Sequence, residues 1–132
     1  MYRLVYMSTP KHSLSSAEIS TILAAATKNN GHNGITGILI QDRKRFLQYL
    51  EGSEDKVEQT FARIASDPRH HAIFRLKSGL IDRRQFPGWN MASKTVDESR
   101  SLTDTVKELV KDCDREVAAE LLNFAEARDR AA

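Results

Sequence analysis

The chain has 132 residues, 40% of them hydrophobic, which suits one compact domain and leaves no room for a second, catalytic one. Twenty basic and eighteen acidic residues leave a formal net charge of +2, and no Lys/Arg run marks a nucleic-acid-binding tail. The single cysteine, Cys113, excludes a disulfide framework within the chain and points to a reducing cytoplasm. No apolar stretch approaches the roughly 20 residues that span a bilayer, and the opening residues lack the apolar core of a secretory leader, so a soluble protein away from membranes is expected.

In chain order, residues 2–8 are aromatic and aliphatic, stop just before Pro10, and predict a strand. Ser15 with Glu18 three residues later is a capping-box signature. Ile19, Ile22, Leu23 and Ala26 then recur at helical spacing, and Asn30-Gly31 is expected to close that helix in a left-handed turn. Residues 35–41 and 45–51 are two apolar runs around Asp42-Arg43-Lys44, a predicted hairpin. Gly52-Ser53-Glu54-Asp55 opens a second helix with a capping side chain and acidic first turn. Val57, Phe61, Ile64 and Ala65 give it one apolar stripe, and Asp67-Pro68 stops it. Further strands are expected at about 72–81 and 86–91.

The order β-α-β-β-α-β-β predicts an α+β, ferredoxin-like sheet with two helices on one face. In the first strand Leu4, Tyr6 and Ser8 share one face and Val5 and Met7 the other; in the third, Phe46, Gln48 and Leu50 oppose Leu47 and Tyr49. Both faces are therefore partly apolar, and two helices cover only one. From Ser101 onwards, Leu102, Val106, Leu109, Val110, Cys113, Val117, Leu121, Leu122 and Phe124 fall at helical spacing. This tail is the expected cover for the second face, as one helix or as two joined near Asp112-Cys113-Asp114.

Common enzymatic signatures are absent: there is no GxGxxG, Walker loop, HExxH, CxxC or GxSxG. His70-His71 diverge on any regular element and make a poor metal pair. Tyr6 reads simply as a core aromatic, Gln48 as a buried amide with backbone partners, and Asn30 as a helix cap. Asp67-Pro68-Arg69-His70 is either a helix stop or an anion- or carbonyl-binding corner. Trp89-Asn90-Met91 reads first as core filling for a last strand.

Five ordered blocks change the balance: Leu4-Val5-Tyr6-Met7-Ser8; Asn29-Asn30 with Gly34-Ile35-Thr36-Gly37-Ile38-Leu39; Phe46-Leu47-Gln48-Tyr49-Leu50-Glu51-Gly52; Asp67-Pro68-Arg69-His70; and Phe86-Pro87-Gly88-Trp89-Asn90-Met91. Together, residues 2–91 resemble the BLUF domain, the sensors of blue light using FAD. The resemblance implies a flavin-binding photoreceptor, not an enzyme, with FAD as cofactor and no metal. Tyr6 is then the phenol that gives up an electron and a proton, Gln48 the amide that switches, and Asn30 the residue holding the flavin's polar edge. Asn29, Arg69 and His70 become further flavin contacts, and Ile22, Leu39, Phe46 and Ile64 the apolar walls. Trp89 and Met91 resemble the pair on the last strand tied to signalling. The hairpin Asp42-Arg43-Lys44-Arg45 departs from the family in lacking a glycine, which alters turn geometry and surface charge.

The expected layout is a photosensory domain over residues 1–96 and a helical extension over 97–132 that serves as cap, dimer contact or partner interface. With no output unit in the chain, the partner is expected to be a separate effector or regulator protein, with a homo-oligomer likewise implied. Two other classes fit a similar fold. An acylphosphatase-like or small-ligand domain needs an Arg in the loop after the first strand, where Thr9-Pro10-Lys11-His12 supplies none. An RNA-binding sheet needs exposed aromatics on its central strands, for which Tyr49 alone is thin support.

Overall fold

The computed structural model describes residues 1–10, 15–41, 45–68, 70–89, 92–95 and 101–131, with the backbone alone for 70, 71, 92–95 and 131. Its elements are β1 (Tyr2–Pro10), α1 (Ser16–Asn33), β2 (Thr36–Gln41), β3 (Phe46–Gly52), α2 (Glu54–Ala65), β4 (His70–Leu80), β5 (Ala92–Thr95), α3 (Leu102–Leu109) and α4 (Arg115–Ala131). Four strands make an antiparallel sheet in the ferredoxin-like order β4-β1-β3-β2, and β5 extends it in parallel beside β2. Gln41 pairs with Phe46, so β2 and β3 meet as the predicted hairpin requires, while its turn, Asp42-Arg43-Lys44, lies outside the described residues. Gly37 is needed where these two strands meet: a Cβ there would stand 1.9 Å from the Tyr49 carbonyl oxygen.

The capping box forms in full, with Glu18 N–H donating to Ser15 Oγ and Ser15 N–H to Glu18 Oε1, each at 3.1 Å. The far end of α1 corrects the sequence expectation. The helix runs through Asn30-Gly31 and stops at Gly34, whose φ of 68° supplies the left-handed residue and whose N–H donates to the Asn30 carbonyl. A glycine inside a helix costs only about 1 kcal/mol, so Gly31 does not break it when a better cap follows. Asn30 is therefore not a cap but a buried residue of the last turn.

A second correction concerns the strand expected at 86–91. Residues 81–89 form no strand, residues 90–91 lie outside the described residues, and Ala92–Thr95 pairs with β2. The Gln85 and Phe86 amides donate to the Glu51 carboxylate, each at 2.8 Å. Gly88, at φ 83°, then turns the chain so that Trp89 N–H reaches the Phe86 carbonyl. Pro87-Gly88 was a turn signal that outweighs the apolar residues around it.

Each sheet face carries its own core. Tyr2, Leu4, Tyr6, Ile35, Leu39, Phe46 and Leu50 pack with Val57 of α2 and, partly buried, Leu23 and Ala26 of α1. On the opposite face Val5, Ile38, Ile40, Leu47 and Tyr49 pack with Val106 of α3 and Val117, Leu121 and Ala125 of α4. The tail is thus two helices, and it covers the face that the alternation left open. Among the described residues no helix is long and apolar enough to cross a membrane.

Two polar contacts fix the tail. Buried Arg3 reaches out of β1 to Glu120 of α4, Nε to Oε2 at 3.1 Å and a terminal nitrogen to Oε1 at 2.5 Å. Asp129 near the end of α4 accepts the Leu102 and Thr103 amides at 3.0 Å and the Thr103 hydroxyl at 2.5 Å, capping α3 together with Ser101. Partial burial raises the Asp129 carboxyl pKa, but these hydrogen bonds outweigh it and hold the group below the ordinary 3.8.

Glu120→Ala leaves the Arg3 guanidinium buried without its partner and should destabilise the protein by about 3 kcal/mol, read from the urea midpoint. A loss well under 1 kcal/mol, about the worth of an exposed pair, would mean that water reaches the guanidinium. The Asp129 cap is complete above pH 3.8 and is lost as pH falls through the depressed folded value. Asp129→Asn should therefore be less stable than the parent at neutral pH, with the gap closing below pH 3.8 when both are titrated with urea.

Candidate functional site

A cavity of about 200 Å³ opens between α1, α2 and the sheet face they cover. Strand alternation sends Tyr6 of β1, Leu39 and Gln41 of β2, and Phe46 and Gln48 of β3 to its floor. Helix α1 contributes Ile19, Ile22, Ala25, Ala26, Asn29 and Asn30, a run at i, i+3, i+4 spacing along one face. Thr60, Arg63 and Ile64 come from α2, with Asp67 just beyond it.

Tyr6 and Gln48 stand directly opposite each other in the β1–β3 register, and Gln48 in turn stands opposite Leu39 of β2. Tyr6 is 1% exposed and Gln48 6%. Burial pushes the Tyr6 phenol far above its usual range, so it keeps its proton at any ordinary pH. Its ring is held edge-on by Phe61 of α2, with centroids 5.2 Å apart. Arg75 of β4 lies over the outer face of Phe61, 5.5 Å from the centroid, and is anchored in turn by Glu58 and the Tyr2 hydroxyl. The Arg75 hydrogen bond holds the Glu58 carboxyl below the usual carboxylate range, despite some burial. These contacts hold the Tyr6 ring from the Phe61 side, and Tyr6 itself lines the cavity.

Of the site residues expected from sequence, Tyr6, Gln48, Asn29, Asn30, Ile22, Leu39, Phe46 and Ile64 all line this one cavity. Arg69 and Met91 lie outside the described residues, as does the side chain of His70, whose backbone begins β4 opposite Pro10. Trp89 is not on a strand and does not line the cavity. It is 41% exposed and stacks on Phe86, with centroids 5.6 Å apart at 21°, on the side of the sheet covered by α3 and α4. Its carbonyl accepts the Gly37 amide at 2.8 Å, which docks the turn against the start of β2.

Sequence reasoning missed Gln41, Thr60 and Arg63. The signal was there for each: Gln41 shares a face with Leu39 two residues earlier, and Thr60 lies three and four residues before Arg63 and Ile64, one helical turn away. It also passed over Glu51, fully buried on the other face.

Comparison with known proteins agrees with this fold. The family model described as sensors of blue-light using FAD matches residues 1–92. The photoactivated adenylate cyclase subunit beta of Euglena gracilis is 31% identical over 112 residues, 82% of this chain and 13% of that protein, so the chain spans a small part of such relatives. The solved structure of a bacterial light-regulated adenylyl cyclase superposes with a TM-score of 0.73 at 37% identity, over 83% of this chain and 33% of that one. The dark-state structure of BlrB, a BLUF protein, matches at a TM-score of 0.75 and 30% identity over 96% of both chains. With its ferredoxin-like sheet, its two-helix cover and its match over residues 1–92, the chain belongs to the BLUF family of blue-light sensors that use FAD.

Proposed function

We propose that this chain is a photoreceptor whose switch is the Tyr6–Gln48 pair, and that it signals to a separate effector protein. The observation that carries the reading is the placement of a buried phenol and a buried carboxamide opposite each other on the floor of one cavity. The lining fits a flavin ring. Ile22, Leu39, Phe46 and Ile64 offer apolar walls, while Asn29, Asn30, Gln41 and Gln48 offer the paired donors and acceptors that a carbonyl-and-imide edge requires. Arg69 and His70 are proposed as further contacts.

Bound FAD would supply the blue-light absorption and, when excited, the oxidising power. The residues supply the rest. Tyr6 holds its proton at Oη because burial disfavours the phenolate. An oxidised phenol is far more acidic, so Tyr6 would give up that proton together with the electron, both to the flavin. Gln48 has an acceptor at Oε1 and a donor at Nε2, so turning its carboxamide exchanges which end faces Tyr6. Because both side chains are buried, each arrangement satisfies its polar groups by switching partners together, which makes the pair two-state. Trp89 and Met91 are proposed to carry the state away from the cavity, residues 1–96 to act as the sensor, and 97–132 as the helical extension facing a partner or a second copy. A cytoplasmic site of action belongs to the same reading.

The purified protein should carry oxidised flavin, and blue light should shift its visible bands slightly to the red, reversibly in the dark. Tyr6→Phe and Gln48→Leu should both retain flavin and lose the shift. A protein that takes up no flavin would overturn the reading, and a normal shift in Tyr6→Phe would transfer the donor role elsewhere. Asn30→Ala should lower flavin affinity about tenfold, the worth of one buried hydrogen bond, before it alters the photochemistry. Equilibrium dialysis against flavin in the dark measures this, and unchanged affinity would remove Asn30 from the binding set.

A further inference from the structure

The segment after β4 grips two of the elements that line the cavity, α1 at its C-terminal end and β3 at Glu51. Arg84 donates to the Gly34 carbonyl at 2.7 Å and to the Thr36 hydroxyl at 2.9 Å, holding the end of α1 one turn beyond Asn30. Glu51, three residues along β3 from Gln48, is 0% exposed. Its carboxylate accepts from Thr36 Oγ1 at 2.7 Å, from the Tyr49 hydroxyl at 3.1 Å, and from the Gln85 and Phe86 amides at 2.8 Å each. A fully buried charge with four donors is fixed in place, because losing any one of them leaves it under-solvated.

The same segment also holds the start of α4. Gln85 is 4% exposed, and both ends of its amide reach Asp114: Oε1 accepts the Asp114 amide at 2.7 Å, and Nε2 donates to Oδ2 at 3.0 Å and also to the Arg83 carbonyl at 2.9 Å. Arg83 Nε adds a bond to Asp114 Oδ1 at 3.0 Å. The Asp114 carbonyl in turn takes the Ala118 amide at 2.9 Å, the opening bond of α4.

We propose that residues 83–86 form an output strap, through which a change at Asn30 or Gln48 reaches the turn between α3 and α4, with Gln85 as its positioning residue. This rests on the photoreceptor reading above. The strap is continuous: α1 and β3 enter it through Arg84 and Glu51, and Asp114 leaves it through Gln85. Because Glu51 and Gln85 are buried, a displacement of β3 is not absorbed by water but either moves Asp114 with it or releases it. The surface so affected is the exposed turn at Arg83 and Asp114, on the side of the molecule away from the cavity.

The test is hydrogen exchange on the full flavin-loaded chain, in darkness and under blue light. Exchange at residues 114–118 should change about threefold or more on illumination, within the range of coupling between distant sites. Gln85→Leu and Asp114→Ala should keep the flavin and its red shift and keep the light response of the Gln85 and Phe86 amides, yet lose the change at 114–118. Asp114 has a side chain 40% exposed, so its variant carries the test if Gln85→Leu fails to fold. A parent that red-shifts normally without any change at 114–118 overturns the strap. So does a folded variant with the parent's response there, or one in which residues 85–86 fall silent as well. A parent with no red shift fails at the earlier step and sinks the photoreceptor reading itself.

Discussion

The register between β1 and β3 is the constraint on which both cores and the cavity depend. It sets Tyr6 against Gln48 on one face and Val5 and Met7 against Tyr49 and Leu47 on the other. A slip of one residue would exchange these sets, burying the carboxamide under α3 and α4 and sending aliphatic side chains to the cavity floor. Apolar residues on both faces make such a slip less costly than in a one-sided sheet. The neighbouring β2–β3 register is further specified by Gly37. The approach of its α-carbon to the Tyr49 carbonyl admits no other residue.

The buried polar groups are segregated by face. On the cavity side Tyr6, Asn30, Gln41, Gln48 and Thr60 are all neutral, with donor and acceptor character in most of them. The buried charges among the described residues, Arg3 and Glu51, belong to the opposite face and are tied down, Arg3 by Glu120 and Glu51 by four donors. The difference matters physically. A neutral amide can trade partners at a cost of about 1 kcal/mol per bond, whereas an unpaired buried charge costs several times as much. Exchanging hydrogen bonds is therefore less costly on the cavity face than around Arg3 or Glu51.

The relatives differ in how much surrounds the shared part. BlrB matches this chain nearly end to end, while the Euglena cyclase subunit has the matched stretch as 13% of its length. The common element is the matched fold, which in this chain places most cavity-lining residues on strands and helices instead of on loops. The positions of Tyr6, Gln48 and Asn30 are thereby set by regular backbone geometry, a precision that loops do not offer.

Much of this was legible in the sequence because it depends on local periodicity. The capping box of α1, the faces of β1 and β3, and the apolar stripe of the tail are all period or spacing signals, and the two-sided sheet followed from them. The resemblance brought Tyr6, Asn29, Asn30 and Gln48 together as one site; the alternation alone grouped faces within β1 and within β3, and the register of the folded sheet set Gln48 beside Tyr6. What the tertiary structure decided is where signals compete or partners are remote. Asn30 was a plausible cap until Gly34 took that position, which turned it from the helix end into the cavity. Residues 86–89 look like a strand only if their amides are free to pair, and Glu51, thirty-five residues from Phe86, claims that amide first. Trp89 accordingly stacks on Phe86 outside the cavity. Sequence periodicity reports which side a residue faces, but a buried carboxylate satisfied by four partners distant in the chain has no periodicity to read.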